Sequence, residues 1–186
     1  MQFQSIKKVA DGCFITRYDL IYKTESGNEK TYEIISRDKE IDSFEKLKNH
    51  PVDAVVLIMH DAAGEKVLLN REYRMAVGNY VYNFPAGLID PGEEPLESAK
   101  RELWEETGLT LTRVDDTIRE SYSAVGFANE KNICVVGVAE GEFAPSTSDV
   151  EEIEAGWYTK AEIRELLKTE AFAARTQAYC YVWSKS

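Results

Sequence analysis

Two periodicities divide this chain into elements. Within residues 12–37, β-rich runs starting at Cys13-Phe14-Ile15-Thr16 and at Thr31-Tyr32-Glu33-Ile34-Ile35 flank the turn-forming Thr24-Glu25-Ser26-Gly27-Asn28, which predicts a hairpin. Residues 38–51 are charged and end in Asn49-His50-Pro51, a boundary between this small β region and a main domain. Beyond it, residues 52–59 form a mostly apolar run, 61–65 a turn and 66–74 a second strand, with further β-like segments near 114–122 and 133–138.

Helical spacing takes over at residues 95–107. Leu96, Ala99 and Leu103 recur at three- and four-residue steps, Pro95 suits a first helical position, and Gly108 suits the residue after the last turn. A further helix is expected after Thr159, through Ile163, Leu166 and Leu167, and residues 170–183 read as helical too. On the first helix Glu102, Glu105 and Glu106 share one face, opposite Leu96, Ala99 and Leu103. Like charges so spaced cost a helix about 0.2–0.5 kcal/mol per pair, so something should offset the repulsion. Magnesium takes carboxylate oxygens while keeping water and phosphate in its shell, and this face suits magnesium or manganese.

Charge sharpens the picture. The 186 residues carry 22 basic and 33 acidic side chains, a formal net charge of -11, a balance that repels nucleic-acid phosphates. Between Gly87 and Leu109 stand Asp90, Glu93, Glu94, Glu97, Glu102, Glu105 and Glu106 against only Lys100 and Arg101, a local excess that calls for a cation. No stretch approaches the roughly 18 apolar residues of a membrane span, and the N-terminus lacks the pattern of a secretory signal, so a cytoplasmic protein is expected. Cys13, Cys134 and Cys180 are scattered and odd in number, which predicts reduced, buried thiols. The length suits one domain with a small appendage.

Before the acidic helix runs Phe84-Pro85-Ala86-Gly87-Leu88-Ile89-Asp90-Pro91-Gly92-Glu93, whose backbone can approach a phosphate closely. Taken together, Gly87, five residues, Glu93, seven residues, then Arg101-Glu102-Leu103-Trp104-Glu105-Glu106-Thr107-Gly108-Leu109 resembles the Nudix box at each defining position. The resemblance implies an α/β fold: an α/β/α sandwich around a mixed sheet, with a small antiparallel β region at the N-terminus. It implies metal-dependent hydrolysis of a pyrophosphate bond, with Glu102, Glu105, Glu106 and the Ala86 carbonyl holding magnesium or manganese, and with Gly87, Glu93, Arg101 and Gly108 shaping the box. Glu93 and Arg101 are expected to pair. The general base is expected on the acidic segment 149–154, Glu151 first and Glu152 second, with Glu105 as the alternative.

Arg71-Glu72-Tyr73-Arg74 and Asn83-Phe84-Pro85-Ala86-Gly87 are similar to the branch that cleaves ADP-ribose and ADP-sugars, although the Ser-Pro-Gly common there is replaced by Ser123-Ala124-Val125-Gly126. That likeness implies a substrate site formed by Phe14, Tyr32, Arg37, Arg74 and Leu88. It also implies residues 1–48 as a dimerising and substrate-clamping hairpin region, 49–186 as the hydrolase domain, and a homodimer with a swapped N-terminal region. Other ADP-sugars, dinucleotides or nucleoside triphosphates are the alternative substrates. A non-catalytic ADP-ribose sensor is the alternative class, expected to show eroded box carboxylates, which this chain does not.

Overall fold

A computed structural model describes residues 1–186. The chain forms two compact units, Met1–Asp53 with Glu120–Asn132, and Ala54–Arg119 with Ile133–Ser186.

The first unit is built on an antiparallel sheet in the order β1 (Gln2–Asp11), β2 (Thr16–Lys23), β3 (Glu29–Ser36), followed by a short helix α1 (Phe44–Lys48). The expected hairpin is β2 and β3. Its turn closes through Thr24 N–H to Asn28 O at 2.8 Å, with Gly27 at φ 86°, a left-handed conformation that glycine adopts without a steric penalty. Two features differ from the sequence reading. A third strand, β1, precedes the hairpin, and Cys13, Phe14 and Ile15 lie before β2 because Gly12 N–H bonds Ile15 O at 2.8 Å and closes a turn there. Cys13 is accordingly exposed, a correction to the expectation of three buried thiols, while Cys134 and Cys180 are buried. The charged segment after β3 is ordered rather than a bare boundary. The buried Tyr18 donates its hydroxyl to Asp38 O at 2.9 Å and accepts from Ile41 N–H at 3.3 Å, and Ser43 caps α1. Tyr18, Leu20, Ile34 and Ile41 form the unit's core.

In the second unit the elements are β4 (Ala54–His60), β5 (Lys66–Arg74), β6 (Asn79–Asn83), β7 (Ala86–Leu88), α2 (Pro95–Thr107), β8 (Thr110–Tyr122), β9 (Lys131–Glu140), β10 (Ile153–Thr159), α3 (Lys160–Thr169) and α4 (Ala174–Trp183), the chain passing through the first unit between Arg119 and Ile133. The strands form one mixed sheet in the order β10-β5-β4-β9-β8, with β6 added to β5 and β7 to β4.

Alternation along the central strands explains the layering. Val55, Leu57 and Met59 of β4, Leu68 of β5 and Val135 and Ala139 of β9 pack with Ala99 and Leu103 of α2. The intervening Val56, Ile58, Val67, Leu69 and Cys134 pack with Ile163 of α3 and Cys180 of α4. Successive side chains of a strand leave on opposite faces, so α2 covers one face of the sheet and α3 with α4 the other. This is the α/β/α sandwich, and it is why β4 is apolar at nearly every position: a strand covered on both sides has no solvent face. Burial of each Val, Leu, Ile or Met side chain contributes about 1.5–3 kcal/mol.

Candidate active site

The site is assembled where β7 delivers its backbone to the last two turns of α2. β7 pairs antiparallel with β4, Val55 opposite Gly87 and Val56 opposite Ala86. α2 begins at Pro95, buries Ala99 and Leu103 and stops at Gly108, whose φ of 77° provides the left-handed cap. Leu96 is not part of the buried face as expected. It is 38% exposed, and the buried positions of α2 are Ser98, Ala99, Leu103 and Thr107.

Glu106 is partly buried in the last turn of α2 and held by two donors. Its Oε2 accepts from Asn70 Nδ2 at 2.8 Å and from Ala86 N–H at 3.3 Å. Burial foremost, then the nearby Glu102 and Glu72, raise its pKa well above the usual carboxylate range. Glu102 lies against the backbone at Gly87 so closely that a Cβ there would overlap its carboxyl, which is the physical reason for glycine at this position. Burial is also the main reason the Glu102 pKa is raised, with Glu105 and Glu151 adding to it.

Arg101 ties the loop to the helix. Its Nε and Nη2 donate to the two oxygens of Glu93 at 3.1 and 2.9 Å, a bidentate pair. Nη2 also reaches Leu88 O at 3.0 Å, while Nη1 is shared between Glu102 at 2.7 Å and Glu105 at 3.1 Å. Glu93 also accepts from Ser98 Oγ at 2.6 Å, and these bonds, those from Arg101 foremost, pull its pKa down to about 2. No three His, Cys, Asp or Glu side chains converge as a ready-made metal centre, since Arg101 holds two of the three helix carboxylates.

Asn70 and Glu72 of β5 belong to this site and were not singled out by the sequence reading. Both are buried, on the face that Leu68 presents to α2, and Asn70 Oδ1 has no partner. Their signal was present: two polar residues at alternate positions of an otherwise apolar buried strand need a polar neighbour.

The remaining candidates are distributed. Arg74 pairs with Glu72, and Leu88 ends β7 half exposed. Glu152 Oε2 accepts from Tyr80 hydroxyl at 2.6 Å, whereas Glu151 lines a cavity of about 340 Å³ with Tyr80, Ser146 and Glu152. Phe14, Tyr32 and Arg37 belong to the first unit: Phe14 is 80% exposed, the Tyr32 hydroxyl donates to Gly126 O at 2.6 Å, and Arg37 pairs with Glu130 at 2.7 Å.

The NUDIX domain family matches residues 50–180, well over half of the chain. The chain belongs to the Nudix family. Among relatives, an ADP-ribose pyrophosphatase of Saccharomyces cerevisiae is 28% identical over 142 residues, covering 74% of this chain and 58% of that protein. An ADP-ribose pyrophosphatase of Bacillus subtilis is 34% identical over 88 residues, 47% of this chain and 46% of that one. The chain thus spans about half the length of these relatives. A crystal structure of an ADP compounds hydrolase shares the fold, with a TM-score of 0.74 at 21% identity, over 100% of this chain and 93% of that chain. In Nudix terms, the glycine that opens the box is the one against which Glu102 rests, and the box arginine is the one that grips Glu93.

Proposed function

We propose that this chain is a pyrophosphohydrolase of nucleoside diphosphate derivatives, with ADP-ribose, cleaved to AMP and ribose 5-phosphate, as its first substrate. The observation that carries the reading is the stacking of Glu102 and Glu106 on the backbone at Ala86 and Gly87. Partly buried, mutually repelling carboxylates beside an unpartnered Asn70 Oδ1 form an oxygen-rich donor set that suits a hard divalent cation. Glu102, Glu105, Glu106 and the Ala86 carbonyl would hold magnesium, or manganese in its place. When bound, the cation neutralises the phosphates and lowers the pKa of its water. Arg101 can release Nη1 from Glu102 and Glu105 while keeping both bonds to Glu93, so the pair that shapes the loop survives loading.

Glu151, with Glu152 and Glu105 as the other carboxylates of the region, is the general base: it takes the proton of the attacking water. The new P–O bond forms as the bridging P–O bond breaks, and the electron pair leaves on the departing phosphate. Arg74 and Leu88, together with Phe14, Tyr32 and Arg37, are the substrate contacts in this reading. It places the enzyme in the ADP-ribose and ADP-sugar branch, as a cytoplasmic homodimer that exchanges the N-terminal region; the three free cysteines accord with a reducing compartment. The names of the relatives support the substrate class.

The test is product analysis on a panel of ADP-ribose, ADP-sugars, NADH, diadenosine polyphosphates, coenzyme A and nucleoside triphosphates, with magnesium and with chelator. AMP and ribose 5-phosphate from ADP-ribose, dependent on the metal, is the expected result. Preference for a triphosphate would overturn the substrate, and tight ADP-ribose binding without turnover would favour the sensor.

A further inference from the structure

The acidic segment ahead of β10 carries two adjacent glutamates, and the structure treats them differently. Glu152 is bound twice: its Oε2 accepts from the Tyr80 hydroxyl at 2.6 Å, and its carbonyl accepts from Tyr73 N–H at 3.1 Å. Tyr80 is itself clamped. The Arg71 guanidinium lies 3.9 Å from its ring centroid and pairs with Glu154 at 3.2 Å, while Tyr73 packs edge-on at 5.3 Å. A few residues earlier, Thr147 N–H donates to Glu105 O at 2.9 Å and Ala144 N–H to Thr107 O at 3.0 Å, fastening the segment to the end of α2. Glu151 lies between these two anchorages, lines the cavity beside Tyr80 and makes no hydrogen bond or ion pair.

We propose that Tyr80 is a positioning residue: its hydroxyl holds Glu152 against β6 so that Glu151, the unengaged member of the pair, is presented to the carboxylates of α2 as the general base. The inference rests on the hydrolytic reading above. It assigns Glu152 the work of an acceptor, which needs an oxygen but no charge, and Glu151 the work of a proton acceptor, which needs the carboxylate. The bonds to Glu105 O and Thr107 O bring the segment to the end of α2, and the charge of Glu151 contributes to the raised pKa of Glu102. A base held loosely samples fewer productive geometries, and a displacement of about 1 Å costs up to about a hundredfold in rate.

Kinetics on ADP-ribose with magnesium and amide hydrogen exchange over residues 147–153 test this in the full chain. Tyr80→Phe, which keeps the ring over Arg71, should lower kcat about tenfold with KM little changed, and should speed exchange in the segment. Glu152→Gln retains an acceptor oxygen for the Tyr80 hydroxyl and should lower kcat less than Glu152→Ala and far less than Glu151→Gln. Glu152→Ala should match Tyr80→Phe, and the double variant should be no worse than either. Glu151→Gln should lower kcat about a hundredfold or more. A Glu152→Gln loss as large as that of Glu151→Gln overturns the division of roles, and so does Tyr80→Phe with unchanged kcat. If the parent chain turns over nothing on the panel, the hydrolytic reading falls by itself, and unchanged exchange in Tyr80→Phe still overturns the tether.

Discussion

Helices α2 and α3 obey opposite rules. α3 opens on a reciprocal capping box, in which Thr159 Oγ accepts from Glu162 N–H at 3.3 Å and Glu162 accepts from Thr159 N–H at 2.8 Å. Its first turn is acidic and its last carries Lys168, the distribution that complements the helix dipole. α2 opens on Glu94 without a side-chain cap, and its last turn holds Glu105 and Glu106 with no basic residue, at the end where the dipole is already negative. Each misplaced charge costs about 0.3–1 kcal/mol. α2 folds despite this because Pro95 starts it, Gly108 stops it and Ala99 and Leu103 bury its inner face. The helix whose local choices agree is scaffold; the one whose choices conflict holds the chemistry.

Four measurements would break or sharpen that contrast. The largest effect is expected from Glu106→Gln, which should lower turnover about a thousandfold, the equivalent of about 4 kcal/mol of barrier. Its Tm should hold or rise, since a buried negative charge is removed from the wrong end of a helix; a variant that keeps its rate would end the assignment of α2 to the chemistry. Gly87→Ala drives a methyl group into Glu102 and should cost about a hundredfold in rate, with circular dichroism showing the fold retained. In α3, Thr159→Ala should reverse the pattern, losing about 1 kcal/mol in urea unfolding with kcat unaltered.

The smallest effect concerns acid. Because Arg101 holds the folded-state pKa of Glu93 near 2, below its value of about 4.5 in an unfolded chain, its contribution is complete above pH 4.5 and lost as the pH falls towards 2. The stability difference between the parent and Glu93→Gln should narrow over that window. A difference that does not vary between pH 5 and 2.5 would mean that the pair is not formed in solution.

What the sequence disclosed follows from how local each signal is. α2 was legible end to end because its spacing, its proline and its glycine all lie within fourteen positions, and the box residues shared that advantage. β5 was legible for the same reason. β1 was not: register shifts between Phe3 and Ser5 and between Lys8 and Ala10 interrupt the two-residue alternation by which a strand is recognised. β7 is three residues long and lies among glycine and proline. The enclosure of Glu106 by Asn70 and the bond between Tyr80 and Glu152 join residues 36 and 72 positions apart, and no pattern along the chain announces such a pairing.

A strand with one wet face resists slipping, because a shift by one residue would turn its oily side to water. β4 has no such safeguard, since Val55, Leu57 and Met59 and their neighbours Val56 and Ile58 are equally apolar. Its alignment must be fixed by partners, and the pairing of Ala54, Val55 and Val56 with Leu88, Gly87 and Ala86 supplies part of that fixing. The glycine that admits the Glu102 carboxyl therefore also serves as a ruler mark for the sheet: a misregistered molecule could remain as dense and as oily inside as the correct one, and would betray itself by failing at its chemistry.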